Sequence, residues 1–227
     1  MTQTVWLFDL DNTLHNASFA AFRMIDHSMN AYIERELQVS AQEANRLRRH
    51  YWLRYGATVL GLERHHGVNP MHFLNHTHIL PGLEDRVRSH AHDCAALKRL
   101  PGRKIILTNA PASYTERVLA ALGIARYFDG VIAVDQMRVC GKLRPKPDAR
   151  LFRHLLARLR VPASRCVLVE DTLAHQKVAR GLGMRTVWMQ RWLKQNSHGP
   201  EVGVYLHRKP GYVCARIRSL QHLHREL

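Results

Sequence analysis

The chain has 227 residues, 46% of them hydrophobic, enough apolar material for one large domain and too much for a disordered protein. Lys and Arg number 34 against 18 Asp and Glu, a formal net charge of +16 that attracts polyanions and small anionic substrates alike. No apolar run reaches the roughly 18 residues a membrane span needs, and the first residues run into "TVWLFD" without a basic leader, so a cytoplasmic protein with no signal peptide and no membrane association is expected.

Four cysteines, Cys94, Cys140, Cys166 and Cys214, lie far apart and form no C-x-x-C pair. That argues against a zinc knuckle or a redox motif and for free thiols. The basic residues are spread along the chain, with no long Lys/Arg block and no nucleic-acid recognition module. A basic surface around an enzyme for anionic substrates accounts for the charge as well as a nucleic-acid binder does.

In chain order, "TVWLF" (Thr4 to Phe8) predicts a short buried strand. From Ser18 to Leu80 the pattern turns helical, with Phe22, Ile25, Met29, Ile33 and Leu37 at helix spacing. Ser40 followed by Glu43 predicts a capping box, Gly56 a helix end, and Gly67, Asn69, Pro70, Pro81 and Gly82 further breaks. Strands then alternate with helices. "KIILT" (Lys104 to Thr108), "FDGVIAV" (Phe128 to Val134), "RCVLVED" and "RTVWM" are the predicted strands. "ASYTERVLAALGI", "PDARLFRHLLARLRV" with proline at its start, and "TLAHQKVARGLGM" are the helices between them. "GYVCARIRSLQHL" predicts a last short strand and helix.

Continuous apolar strands alternating with amphipathic helices predict an α/β fold: a Rossmann-like parallel sheet core flanked by helices. The helical block interrupts the alternation after the first strand and is expected to be an inserted cap. The expected division is 1–17 and 83–227 for the core and 18–82 for the cap.

In open α/β sheets ligands bind off the carboxyl ends of strands. Those ends carry Asp9 and Asp11, Thr108 and Asn109, and Glu170 and Asp171; Lys146 follows in the loop "KLRPKPD". Two residues apart, Asp9 and Asp11 would share one side of an extended chain. Two unit charges about 4 Å apart repel by roughly 4 kcal/mol at an effective dielectric near 20. Such a cluster must protonate, pair with lysine or bind a cation. Mg²⁺, which takes oxygen ligands, suits the residues and would also attract a phosphoryl group.

The four pieces "DLDNT", "LTN", "RPKPD" and "VED" occur in the order of the motifs of the haloacid dehalogenase-like hydrolase superfamily, which the chain resembles from Val5 to about Met189. "YWLRYGATVLGLERHHGVNP", "LGIARYFDGV" and "LGMRTVWM" are similar to its pyrimidine 5′-nucleotidase-like members. The resemblance implies an aspartyl-phosphate intermediate on Asp9, with Asp11 as general acid and base. It implies Mg²⁺ held by Asp9, the Asp11 backbone carbonyl and Asp171, with Glu170 a less direct ligand. It also implies phosphate binding by Thr108, the Asn109 N–H and Lys146, and support of the loop by Thr13. The second aspartate favours a phosphatase over a dehalogenase, because a halide leaving group needs no proton. The expected partner is a small phosphorylated metabolite, first a pyrimidine nucleoside 5′-monophosphate and alternatively a sugar phosphate. A polyanion binder on a degenerate core is the rival from another class.

Other signals read as structural. His72 and His76 at i, i+4, with His78 beyond, have a spacing that can bind zinc, but among 16 histidines it arises easily by chance. Arg46, Arg48 and Arg49, and the run from Arg64 to His66, read as a solvated helix face. Tyr32, Trp52 and Tyr55 read as packing residues of the helical block.

Overall fold

The computed structural model describes residues 3–88, 90–192 and 209–224. The stretches 193–208 and 225–227 of the expected core lie outside the described residues. In chain order come β1 (Val5–Phe8), α1 (Ala17–Ala20), α2 (Phe22–Leu37), α3 (Ala41–Tyr55), α4 (Thr58–His66), α5 (Pro70–Thr77), α6 (Leu83–Arg86) and α7 (Ala91–Arg99). Then follow β2 (Arg103–Leu107), α8 (Ala112–Leu122), β3 (Gly130–Ile132), β4 (Arg138–Val139), β5 (Lys142–Leu143) and α9 (Ala149–Leu159). The last are β6 (Cys166–Glu170), α10 (Leu173–Gly181), β7 (Arg185–Met189) and β8 (Ala215–Ile217).

Six strands form one parallel sheet in the order β3-β2-β1-β6-β7-β8, flanked by helices as the alternation predicts. Strand β1 is central: Phe8 pairs with Ile106 of β2 on one side and Val169 of β6 on the other. Its side chains divide by the two-residue period of an extended chain. Trp6 and Phe8 enter an apolar cluster with Ala96 and Leu97 of α7 and Tyr114 and Val118 of α8. Val5 and Leu7 enter the opposite one with Leu151 and Phe152 of α9 and Ala179 of α10. Burial on both faces explains why these strands read as unbroken apolar runs. Each fully buried side chain such as Phe8 or Leu7 contributes about 1.5–3 kcal/mol.

Local signals act as the residues suggest. Ser40 Oγ accepts from the Glu43 backbone N–H at the start of α3, and Gly56 closes that helix at φ 79°. Asn69 caps α5, with Pro70 in its first turn. Gly102 admits no other residue: at φ 107° a Cβ would come within 2.6 Å of the Thr4 carbonyl oxygen.

Some expectations need correction. The second strand stops at Leu107 and the third covers only Gly130–Ile132. Pro147 is not in the first turn of α9, because Asp148 caps that helix by accepting from the Arg150 N–H. The antiparallel hairpin of β4 and β5 and helix α7 went unpredicted. Strand β1 ends at Phe8, and Asp11 lies inside a turn in which the Thr13 and Leu14 N–H groups donate to the Leu10 carbonyl and Asn12 is left-handed at φ 56°. The two-residue alternation therefore does not set the relation of Asp9 to Asp11.

Helices α2 to α5 carry their own apolar cluster, including Tyr32, Ile33, Leu47, Tyr51, Leu62 and Phe73. It meets the rest of the molecule through Val134 and Leu143. Ala20, Ala21 and Ile25, at the front of the helical block, pack instead in the cluster around Phe8. Tyr51 lies where a Cβ on Gly61 would stand, only 2.1 Å from its ring, so α3 and α4 pack backbone-close. Thr58 Oγ1 donates to the Arg48 carbonyl across the same junction. Much of the "YWLRYGATVLGL" segment is thus occupied in joining two helices.

The end of the chain completes the sheet, with β8 beside β7. Buried Asp93 of α7 secures this region: its carboxylate accepts from Arg191, from Ser219 Oγ and from the Leu220 N–H. Charged hydrogen bonds of this kind contribute about 1.5–3 kcal/mol. Asp93→Ala is therefore expected to lower the unfolding free energy by about 2–3 kcal/mol, read from urea unfolding. An unchanged midpoint would show that the clamp carries no stability.

Candidate active site

Because β1, β2 and β6 are adjacent and parallel, their carboxyl ends lie on one edge of the sheet. Asp9 follows β1, Thr108 follows β2, and Glu170 ends β6 with Asp171 next. One oxygen from each of Asp9, Glu170 and Asp171 falls within 4.8 Å of the others. Among the described residues this is the one such trio of potential metal-binding side chains.

Lys146 sits in the cluster. Fully buried, it donates from Nζ to Asp9 Oδ1 at 2.8 Å and to Glu170 Oε2 at 2.8 Å. Asn109 holds the lysine loop by its side chain: Nδ2 donates to the Lys146 carbonyl and Oδ1 accepts from the Lys146 N–H, both at 2.9 Å. The resemblance implied a role for the Asn109 backbone; its amide side chain has this separate work. Thr108 is buried and its hydroxyl oxygen accepts from the Ala110 N–H. Thr13 is wholly buried, and its Oγ1 has no hydrogen-bond partner among the described residues.

The electrostatics follow from burial. Asp9 is pushed up to about 7, first by desolvation and then by Glu170, with Lys146 opposing. Asp171 is partly exposed yet hemmed in; burial, then Glu170 and Asp9, push its carboxyl well above the usual range. Burial disfavours the charged form of Glu170, but Lys146 and then His175 outweigh it and hold that carboxyl well below its ordinary value. Burial likewise opposes the charge on Lys146, and Asp9 and Glu170 more than restore it.

The charges are unbalanced. Lys146 brings one positive charge to three carboxylates whose oxygens converge. A divalent cation would make up the difference, and an all-oxygen donor set is what Mg²⁺ takes. The residues therefore fit the metal the motifs imply, with Asp9, Asp171 and Glu170 as holders.

Asp11 stands apart from the trio. Its Oδ1 accepts from Tyr114 Oη at 2.8 Å and lies 2.9 Å from His15 Nε2. Burial, first, and the neighbouring Asp11 keep the Tyr114 hydroxyl protonated far above its ordinary range, so it serves as a donor. His175 Nδ1 is 2.9 Å from Glu170 Oε2, an ion-pair contact out of line for a hydrogen bond. Sequence reading missed Tyr114, His15 and His175. His15 lay four residues from Asp11 in plain view, but nothing in "ASYTERV" shows that Tyr114 turns toward β1.

Most of the residues read as structural are engaged structurally. His72 Nδ1 meets Tyr32 Oη at 2.6 Å and His76 Nδ1 meets the His72 carbonyl. His78 Nδ1 meets the Leu74 carbonyl. Arg46 pairs with Glu43, and Arg48 reaches Asp26, Asn30 and Asn45. Tyr32 packs edge-on against Phe73 and Tyr55 Oη meets His65, but Trp52 is half exposed and lies outside the apolar cluster of α2 to α5, against the packing role expected of it. No helix of the described residues is long and apolar enough to cross a membrane.

Comparison with known proteins assigns this α/β sheet, with its acidic cluster and buried lysine off the central strands, to a family. Residues 4–183 match the model of the haloacid dehalogenase-like hydrolases, and the chain belongs to that family. It is 28% identical over 164 residues to phosphate metabolism protein 8 of Saccharomyces cerevisiae, covering 65% of this chain and 49% of that protein. It is 30% identical over 106 residues to a phosphoglycolate phosphatase of Cupriavidus necator, covering 47% and 41%. The chain thus spans about half the length, or less, of these curated relatives. The fold is shared with a crystal structure of a haloacid dehalogenase-type (HAD) phosphatase from Thermococcus onnurineus, at TM-score 0.62 and 20% identity, covering 99% of this chain and 97% of that one.

Proposed function

We propose that this protein is a Mg²⁺-dependent phosphatase that hydrolyses a small phosphate monoester through an aspartyl-phosphate on Asp9. The observation that carries the reading is the convergence of Asp9, Glu170 and Asp171 at the carboxyl edge of the sheet, with Lys146 bonded to the first two. Family membership and a relative named as a phosphoglycolate phosphatase support it.

Each residue has a task its chemistry suits. An Asp9 carboxylate oxygen attacks phosphorus as the ester P–O bond breaks. Asp11 gives its proton to the departing alkoxide. Asp11 then takes a proton from water, whose oxygen attacks the phosphorus, releasing phosphate and restoring Asp9. Lys146 offsets negative charge on the nucleophile and the phosphoryl group. Thr108 and the Asn109 N–H receive phosphoryl oxygens, and Thr13 supports the loop. Bound Mg²⁺ would neutralise the incoming phosphate.

The helical block 18–82 is proposed as the cap that selects the substrate. A pyrimidine nucleoside 5′-monophosphate is the first substrate proposed, and a sugar phosphate the alternative. Polyanion binding is disfavoured by a cluster that retains its three carboxylates and its lysine.

The test is a panel of phosphorylated metabolites, including UMP, CMP and sugar phosphates, assayed with Mg²⁺ and with chelator. Phosphate release from one class only when Mg²⁺ is present is expected. Release of equal size in chelator would remove the metal from the reading, and no release from any ester would remove the phosphatase itself.

A further inference from the structure

We infer that Tyr114 and His15 are positioning residues that lock the Asp11 carboxylate in the orientation required for proton transfer to the leaving group. The inference rests on the phosphatase reading for its chemistry, but its geometry stands independently. Tyr114 Oη and His15 Nε2 converge on the same oxygen, Oδ1, at 2.8 and 2.9 Å. Neither engages Oδ2. With Oδ1 held from two directions, rotation about the Cβ–Cγ bond is blocked, and Oδ2 is the oxygen left to carry the travelling proton.

Tyr114 and His15 have no exposed surface. Tyr114 belongs to α8 and packs in the cluster that contains Phe8 and Leu10, on either side of Asp9. His78, where the helical block returns to the core, lies edge-on to the Tyr114 ring at 5.8 Å. His15 is bridged to Asp11 along the backbone, in a turn that Leu14 closes by donating to the Leu10 carbonyl. Asn12, left-handed at φ 56°, is fixed in turn by Ser18, whose N–H donates to Asn12 Oδ1. An acid carried on a turn rather than on a strand needs such side supports, since a misplacement of about 1 Å can cost a hundredfold in rate.

The role predicts a dependence on leaving group that mere loss of packing would not produce. An alkyl phosphate expels a strongly basic alkoxide and depends on Asp11. p-Nitrophenyl phosphate expels a weakly basic phenolate and depends on it far less in that first step, while the later attack of water is common to both esters. In Tyr114→Phe, kcat/KM for an alkyl phosphate, which reports the steps up to cleavage of the ester P–O bond, is expected to fall about 10- to 100-fold. With p-nitrophenyl phosphate the fall should be several times smaller. His15→Leu should behave in the same way, and His15→Gln, which can donate from a similar position, should recover most of the loss. Equal losses on the two esters, or none, would overturn the inference.

A readout free of catalysis separates this inference from the phosphatase reading. Thermal midpoints are compared for Tyr114→Phe, Asp11→Ala and the double variant. The two single losses should together clearly exceed that of the double variant. Simple additivity would sink the positioning role even in an active enzyme. If the wild-type chain cleaves neither ester, the phosphatase reading falls, and the cycle still decides whether Tyr114 holds Asp11.

Discussion

Asp9→Asn is expected to abolish phosphate release, with kcat at least about 10⁴-fold below the parent at saturating Mg²⁺. The substitution preserves size and shape at a position that is only 6% exposed, so the sheet edge has no reason to rearrange. What disappears is nucleophilicity: a neutral amide cannot supply the carboxylate oxygen on which the first step depends. The stability effect should be small. The amide would lose the charged contact with Lys146, but it would also be relieved of burial and of repulsion from Glu170, the influences that push Asp9 up to about 7. The check is phosphate release measured alongside a thermal midpoint. An inactive variant melting within a few degrees of the parent is the expected outcome. Full activity would remove Asp9 as the nucleophile.

Lys146→Met is expected to lose both activity and stability. The lysine is fully buried and contacts two carboxylates at 2.8 Å. Methionine fills much of the same space without the charge, leaving Asp9 and Glu170 facing each other in a dry site. Breaking a buried pair by removing one partner costs about 3–5 kcal/mol. In a chain of this length that corresponds to a drop of roughly 6–20 °C in thermal midpoint. Mg²⁺ should restore more stability to this variant than to the parent, because a cation then answers charge the lysine no longer answers. A variant as stable as the parent in the absence of Mg²⁺ would show that the buried lysine does not hold the cluster together.

The parts of the site legible in the chain were those that end apolar runs. Asp9 follows β1, Glu170 ends β6 and Asp171 follows it; both strands are buried on both faces, and a polar residue at the end of such a run reaches the sheet edge. The bounds of the third strand and the hairpin at Arg138–Leu143 were not legible, because stretches of two or three residues carry no period. Asp93 was equally opaque: an aspartate in the first turn of a helix is ordinary, and only its contacts with Arg191, Ser219 and Leu220 reveal a clamp.

By itself the sequence determined the alternation of strands and helices, the parallel sheet, and the residue types that reach its carboxyl edge, because burial on two faces imposes a continuous apolar pattern that any reader of the chain can see. Only the tertiary structure decided that β1 lies between β2 and β6, that Lys146 enters among the carboxylates, and that Tyr114 joins His15 in gripping Asp11. Tyr114 is 103 positions from Asp11 and Lys146 is 137 from Asp9. Contacts at such separations depend on how helices dock on the sheet, and a docking partner leaves no periodic mark on the residue it meets.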